Sequence, residues 1–163
     1  MESLKKDFVN QISENQRLIH KVCNVYCYTS EDRKDLFQDI VLQLWRAYPS
    51  FKGAAKFSTW LYRIALNTAI SQIRKQKMKL VGLSALASDN LLADDTQGKI
   101  EKQQLLNSLI GTLNNIDKSI ILLYLEEKSY EEIALIMGMS QSSISVRLVR
   151  IKRKLEKTFK QHA

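Results

Sequence analysis

Residues 129–155 read SYEEIALIMGMSQSSISVRLVRIKRKL, and this run decides the fold. Ser129 to Glu132 forms a capping box: the serine hydroxyl accepts from the Glu132 amide while the glutamate side chain reaches back to the Ser129 N–H. A short helix runs on through IALIM and stops at Gly138, which takes up the left-handed turn of a helix end without steric cost. Ser140 caps the helix that follows. Counted from Tyr130, Ala134, Gly138 and Ile144 stand at positions 5, 9 and 15. A small residue where two helices cross, a glycine in the turn and a branched apolar residue locking the second helix are what a helix-turn-helix needs.

At about 100° per residue, Ile144, Leu148, Ile151 and Leu155 share a narrow arc that faces the core. Ser142, Val146, Val149, Arg150 and Arg153 then lie on the opposite face, with Ser143 and Ser145 on its flanks. Small hydroxyls at a helix start let the backbone approach a phosphate, and an arginine one or two turns later can read guanine in a major groove. The alternative is a solvated amphipathic helix with a merely basic outer face.

Upstream of this unit, helical periodicity dominates and nothing alternates as a strand. The pattern predicts helices over about 3–27, 31–47, 58–78, 100–112, 115–126, 130–137 and 141–160. Between the third and fourth, LVGLSALASDNLLADDTQGK holds two glycines, carries Asp89, Asp94 and Asp95, and has no amphipathic period. It reads as a linker. The expected architecture is all-α, with two helical domains (residues 1–79 and 99–163) joined by a flexible linker (80–98).

The second predicted helix carries two stripes. Leu36, Ile40 and Leu44, with Phe37 and Val41, form a buried side, whereas Asp35, Gln38, Asp39, Leu42 and Arg46 recur along another. A mixed acidic, apolar and basic stripe suits docking to a protein, although a solvated face has the same pattern. Beyond it, WRAYPSFKGAAKFSTWLYR gathers Trp45, Tyr48, Phe51, Phe57, Trp60 and Tyr62 around a loop with Lys52, Lys56 and Arg63 interleaved. Aromatics beside cations stack and hold unpaired bases, while in a small helical domain they also build core. In the third helix Trp60, Arg63, Asn67 and Arg74 share one side, and Phe57, Leu61, Ile64, Ala65 and Thr68 take the core side.

Composition agrees with a polyanionic partner. The 163 residues include 25 basic and 17 acidic side chains, a formal charge of +8, in otherwise ordinary globular material with 45% hydrophobic and 26% charged residues. The excess is concentrated: Arg74 to Lys79 holds four basic residues and no acid, and Ser140 to Ala163 holds seven against Glu156 alone. No apolar run reaches the roughly 20 residues that span a bilayer, and MESLKKDFVN lacks a signal-peptide core, so a cytoplasmic protein without membrane insertion is expected. Cys23 and Cys27 are spaced unsuitably for an internal disulfide. With His20 they could line one helix face and bind zinc or sense redox; the other reading is two packed thiols and a surface histidine, with no metal site.

Together these segments resemble a bacterial RNA polymerase sigma factor of the extracytoplasmic-function type. DLFQDIVLQLWRAY resembles the region 2 segment that docks on core polymerase, FSTWLYRIALNTAISQIRK the helix that melts and holds the minus-10 element, and the opening run resembles region 4. The resemblance implies three sets of residues. Asp35, Gln38, Asp39, Leu42 and Trp45, joined by Arg46, would bind core polymerase. The loop Phe51 to Ser58, with Lys52, Lys56 and Phe57, would pocket a flipped minus-10 base beside Trp60, Arg63, Asn67 and Arg74. Ser145, Val146, Val149 and Arg150, with Ser142, Ser143, Arg147 and Arg153, would read minus-35 duplex.

Departures from the family pattern bear on which promoter is read: Leu66 replaces a common arginine, Ser71 a usual aspartate and Ser145 a frequent basic residue, and LNNIDKSIILLYL lacks the frequent Leu-Pro pair. The implied mechanism uses no bond chemistry and no cofactor. Its implied partners are core RNA polymerase, promoter DNA in duplex and single-stranded form, and an anti-sigma factor, and the acidic DNLLADD would suit a polymerase channel that normally holds nucleic acid. The rivals are a stand-alone helix-turn-helix regulator, which leaves the aromatic loop idle, and a nucleic-acid enzyme. For the latter no paired-carboxylate metal site, Cys/His nucleophile pair or phosphate loop is visible in the sequence.

Overall fold

The computed structural model of the chain describes residues 2–80 and 99–161. Within these residues there are eight α-helices, one 3-10 turn and no strand, so the chain is all-α. It divides into two compact units, Met1–Leu91 and Leu92–Ala163. Apart from Leu80, which ends a helix, the segment read as a linker lies outside the described residues, DNLLADD included.

The first unit holds α1 (Glu2–Glu14), α2 (Gln16–Tyr26), α3 (Ser30–Ala47), a 3-10 turn (Tyr48–Ser50) and α4 (Phe57–Leu80). A single helix over 3–27 was the expectation; the chain breaks at Asn15 instead. Its side-chain Nδ2 donates to the Gln11 carbonyl at 2.8 Å, and its backbone leaves the helical region at φ −119° and ψ 16°. A short amide side chain competes with the helical ladder for backbone partners, which is why asparagine marks such breaks. α3 starts at Thr29, whose hydroxyl accepts from the Asp32 amide at 3.0 Å. Glu31 and Asp32 in the first turn and Arg46 in the last both suit the helix dipole.

α2, α3 and α4 pack on one another, and α1 rests on α2. Leu36, Ile40 and Leu44 of α3 are fully buried, as the pattern required, and so are Ile19 and Val22 of α2 and Leu61, Ala65 and Ala69 of α4, the helices packed against it. The buried arc of α4 is rotated from its expected position. Tyr62 and Leu66 are buried, while Ile64 and Thr68, placed on the core side from periodicity, are only half-buried. Because α4 packs against both α2 and α3, it buries a wider arc than a helix with one neighbour.

The second unit holds α5 (Lys99–Gly111), α6 (Asn115–Leu125), α7 (Tyr130–Met137) and α8 (Gln141–Gln161). α8 packs on the other three helices. The turn follows the sequence reading: the Ser129 hydroxyl accepts from the Glu132 amide at 3.1 Å, and Gly138 takes φ 68° in the left-handed region. The capping box differs in one bond, since the Glu132 carboxylate accepts from the Ser129 hydroxyl at 3.3 Å. Ala134 is buried at the crossing, and Ile144, Leu148 and Ile151 face the core.

Candidate polymerase and nucleic-acid interfaces

Burial of Leu36, Ile40 and Leu44 turns the other stripe of α3 outward. Asp35, Gln38, Asp39, Leu42, Trp45 and Arg46 are all exposed, and Leu42 and Trp45 keep 43% and 38% of their surface open, so the stripe presents apolar area as well as charge. Asp39 is also held from α4: the Gln72 side-chain amide donates to its Oδ2 at 2.6 Å. A cleft of about 690 Å³ opens there, lined by Asp39 and Gln43 of α3 and by Asn67, Thr68, Ser71, Gln72, Lys75 and Gln76 of α4. Gln43 and Gln72 were missed in the sequence, where nothing marks one glutamine above another.

The aromatic segment forms one connected group. Phe51, Phe57 and Trp60 surround one another at centroid distances of 5.0, 5.4 and 5.7 Å, and Tyr48 lies 6.1 Å from Trp60. Phe8 of α1 extends the group by packing 5.1 Å from Tyr48 and 5.0 Å from Trp45. It was not foreseen, because no local pattern ties α1 to the end of α3. Tyr62 is wholly buried, unlike the half-open rings of the loop. Phe51, Phe57, Ser58 and Trp60 remain half-buried, with ring area open beside the exposed Lys52 and Lys56. Between those lysines Gly53 sits at φ 75° with open space where a Cβ would stand, so its glycine is required by the backbone and not by crowding. Arg63, Asn67 and Arg74 are exposed along the outer side of α4.

On α8, Ser140 caps the helix: its Oγ accepts from the Ser143 amide at 3.1 Å and donates to the Ser143 Oγ at 2.9 Å. Ser142, Ser143, Val146, Val149, Arg150 and Arg153 are exposed and Ser145 is half-buried. Three other cations of α8 are tied back onto the unit. Arg147 Nη1 lies 3.1 Å from Asp117 Oδ1 of α6, the Lys152 ammonium sits 4.2 Å from the centre of the Tyr124 ring, and Lys154 donates to the Thr112 carbonyl at 3.1 Å.

On α2, His20 is exposed and stacks on Phe37 at 4.6 Å. Cys23 and Cys27 are free thiols. Burial pushes the Cys23 thiol up to about 12, and burial, with the Asp32 carboxylate adding, pushes Cys27 up to about 11. Among the described residues no group of three or more His, Cys, Asp or Glu stands together to hold a metal ion, and no helix is long and apolar enough to cross a membrane.

A helix-turn-helix with a serine-led, arginine-bearing second helix, accompanied by a separate helical unit with an open aromatic loop, defines a DNA-binding transcription protein. Known proteins narrow the class. Residues 11–78 match sigma-70 region 2 and residues 103–155 match sigma-70 region 4. The chain is 29% identical to the ECF RNA polymerase sigma-E factor of Haemophilus influenzae, over 93% of this chain and 87% of the relative. It is 28% identical to the sigma factor SigW of Bacillus subtilis, over 85% and 81%. Its fold superposes on the sigma factor RpoE of Bartonella quintana, solved in complex with the anti-sigma factor NepR, with a TM-score of 0.82 at 22% identity over 95% and 98% of the two chains. CnrH, solved in complex with the cytosolic domain of CnrY, gives a TM-score of 0.70 at 18% identity over 98% and 91% of the two chains. The chain therefore belongs to the sigma-70 family of RNA polymerase sigma factors, in its extracytoplasmic-function branch. Sigma factors with regions 2 and 4 serve promoter-specific transcription initiation.

Proposed function

We propose that the chain acts without bond chemistry of its own, as a cytoplasmic factor that joins core RNA polymerase to promoter DNA through three surfaces. Region 2 spans residues 1–79, region 4 spans 99–163, and residues 80–98 tether them. Asp35, Gln38, Asp39, Leu42, Trp45 and Arg46 dock on core polymerase. Phe51, Lys52, Lys56, Phe57 and Ser58, with Trp60, Arg63, Asn67 and Arg74, capture the melted minus-10 strand. Ser142, Ser143, Ser145, Val146, Val149, Arg150 and Arg153 read minus-35 duplex; Arg147, expected in this set, is held by Asp117.

The observation that carries the reading is the open aromatic group formed by Phe51, Phe57 and Trp60 beside two exposed lysines. A duplex-only regulator has no use for it, whereas a stacking surface worth roughly 1–3 kcal/mol per base offsets the cost of unstacking DNA. Each surface alone binds weakly, and tethering both units to one polymerase raises their effective concentration on the promoter. The solved RpoE neighbour is bound to an anti-sigma factor, and an anti-sigma partner that covers these faces would keep this chain inactive.

Run-off transcription with core polymerase on genomic fragments of the source organism tests the proposal, with an Asp35→Ala, Asp39→Ala chain as control. Transcripts that require the protein and weaken in the double variant are the expected result. Absence of any transcript, together with a dimeric shift of duplex DNA by the protein alone, would replace it with a stand-alone regulator.

A further inference from the structure

We infer that Asp117 sets the sequence-independent affinity of the second unit for DNA: it ties Arg147 back onto α6 and so withholds one positive charge from the DNA backbone. The inference rests on the proposed reading of duplex DNA by α8. Arg147 lies four residues after Ser143 and three before Arg150, on the flank of the exposed face, where an unpaired guanidinium would reach phosphate. It points instead to Asp117, with Nη1 3.1 Å from Oδ1 and 38% of the Arg147 side chain exposed against 21% for Asp117.

Asp117 is itself fixed. The Asn114 side chain, which caps α6, accepts from the Asp117 amide at 2.8 Å, and the carboxylate occupies the first turn, where the helix dipole favours negative charge. The cap fixes the backbone at Asp117, so its carboxylate is presented to Arg147 from a rigid first turn. Lys152 and Lys154 are likewise engaged, by the Tyr124 ring and the Thr112 carbonyl. Arg150 and Arg153 are left exposed, with no ion pair among the described residues.

The consequence is a helix rich in charge that spends little of it on phosphate. Sequence-independent affinity grows with the number of phosphates neutralised, whereas discrimination comes from contacts to bases. Keeping Arg147 on Asp117 lowers binding to every sequence alike, so the absolute affinity of the unit for duplex stays low while discrimination is left to Val146, Val149 and Arg150 at the base edges. The same pairing would be missed in sequence, because Asp117 lies on another helix and reads only as a capped first turn.

The test is the salt dependence of binding of the full chain to a mixed-sequence duplex, followed by fluorescence polarisation across a KCl series. Each phosphate contact contributes about 0.9 to the slope of log affinity against log salt. Asp117→Asn should steepen the slope by about 0.9, Arg147→Ala should leave it at the wild-type value, Asp117→Glu should stay near wild type, and the Asp117→Asn, Arg147→Ala chain should return to it. An Arg147→Ala chain that loses about 0.9 overturns the inference, since Arg147 would then already touch phosphate with Asp117 in place. That arm stands even where Asp117→Asn disturbs folding. A slope unchanged by a folded Asp117→Asn chain overturns the role of Asp117 alone, whereas a wild-type chain that binds no duplex at any salt, either free or in reconstituted holoenzyme, overturns duplex reading itself.

Discussion

Glu127 and Gly138 both hold left-handed backbone, at φ 62° and 68°, although a Cβ makes that region unfavourable by about 1–2 kcal/mol. At Glu127 the conformation closes α6: the Lys128 amide donates to the Leu123 carbonyl and the Glu127 amide to the Tyr124 carbonyl, the bond pair of a left-handed helix cap. Glu127→Gly should therefore raise stability by about 0.5–1 kcal/mol, the gain being trimmed by the freer unfolded chain. Gly138→Ala should lower it by about 1–2 kcal/mol through backbone strain alone, since an added Cβ there meets nothing within 4 Å. Urea titration followed by far-ultraviolet circular dichroism reads both changes. Gly138 was legible in sequence because glycine announces such a turn; a glutamate doing the same work gives no signal. The thiols of α2 carry a second prediction. Cys23 is raised to about 12, so the folded chain keeps a proton that the unfolded chain loses near 9.0. The unfolded state then binds fewer protons, and stability falls as pH rises above about 9, levelling only past the folded value. A Cys23→Ala chain should show a shallower fall over that range in thermal melts, and Cys23 should resist alkylation at neutral pH until the chain is unfolded.

Among the elements, α7 and α8 were placed to within a residue from sequence, because Ser129, Gly138 and Ser140 are local stop and start signals whose chemistry does not depend on the rest of the chain. The first unit was less legible for the opposite reason. Asn15 breaks the amino-terminal helix where hydrophobic periodicity runs on, and the burial of Tyr62 and Leu66 depends on α4 having two neighbours, which no single helical pattern records. The exposed stripe of α3 needed only its own buried side, so its outward facing followed. The aromatic group tests how far the loop depends on a distant element. Phe8 is 5% exposed and joins α1 to Trp45 and Tyr48. Phe8→Ala should cost about 3–5 kcal/mol, as other large aromatic truncations in cores do, and should shift tryptophan emission to longer wavelength as Trp45 becomes wetter. A stability loss without a fluorescence change would mean that Phe8 serves α1 packing alone and leaves the ring group in place.

For the whole molecule the decisive property is that each unit has its own buried core, around Leu36, Ile40 and Leu61 in one and Leu123, Ile144 and Leu148 in the other. Substitutions in separate cores or on separate surfaces do not share partners, and free energies at such sites add to within about 0.5 kcal/mol. If one chain holds both ends of a promoter on one polymerase, loss at each surface appears in the same equilibrium. Arg150→Ala should weaken promoter binding of the holoenzyme by about 1–3 kcal/mol through a lost base contact, and Trp60→Ala by about 1–3 kcal/mol through a lost stacking surface. The paired substitution should then cost the sum, measured as the dissociation constant of reconstituted holoenzyme on a promoter recovered by run-off transcription. The signatures also differ: Trp60→Ala should spare binding to a fragment whose minus-10 strand stays duplex, and Arg150→Ala should weaken it. A paired variant no worse than the weaker single one would mean that the two surfaces do not act on one promoter together, and the tethering that makes two weak contacts sufficient would have to be given up.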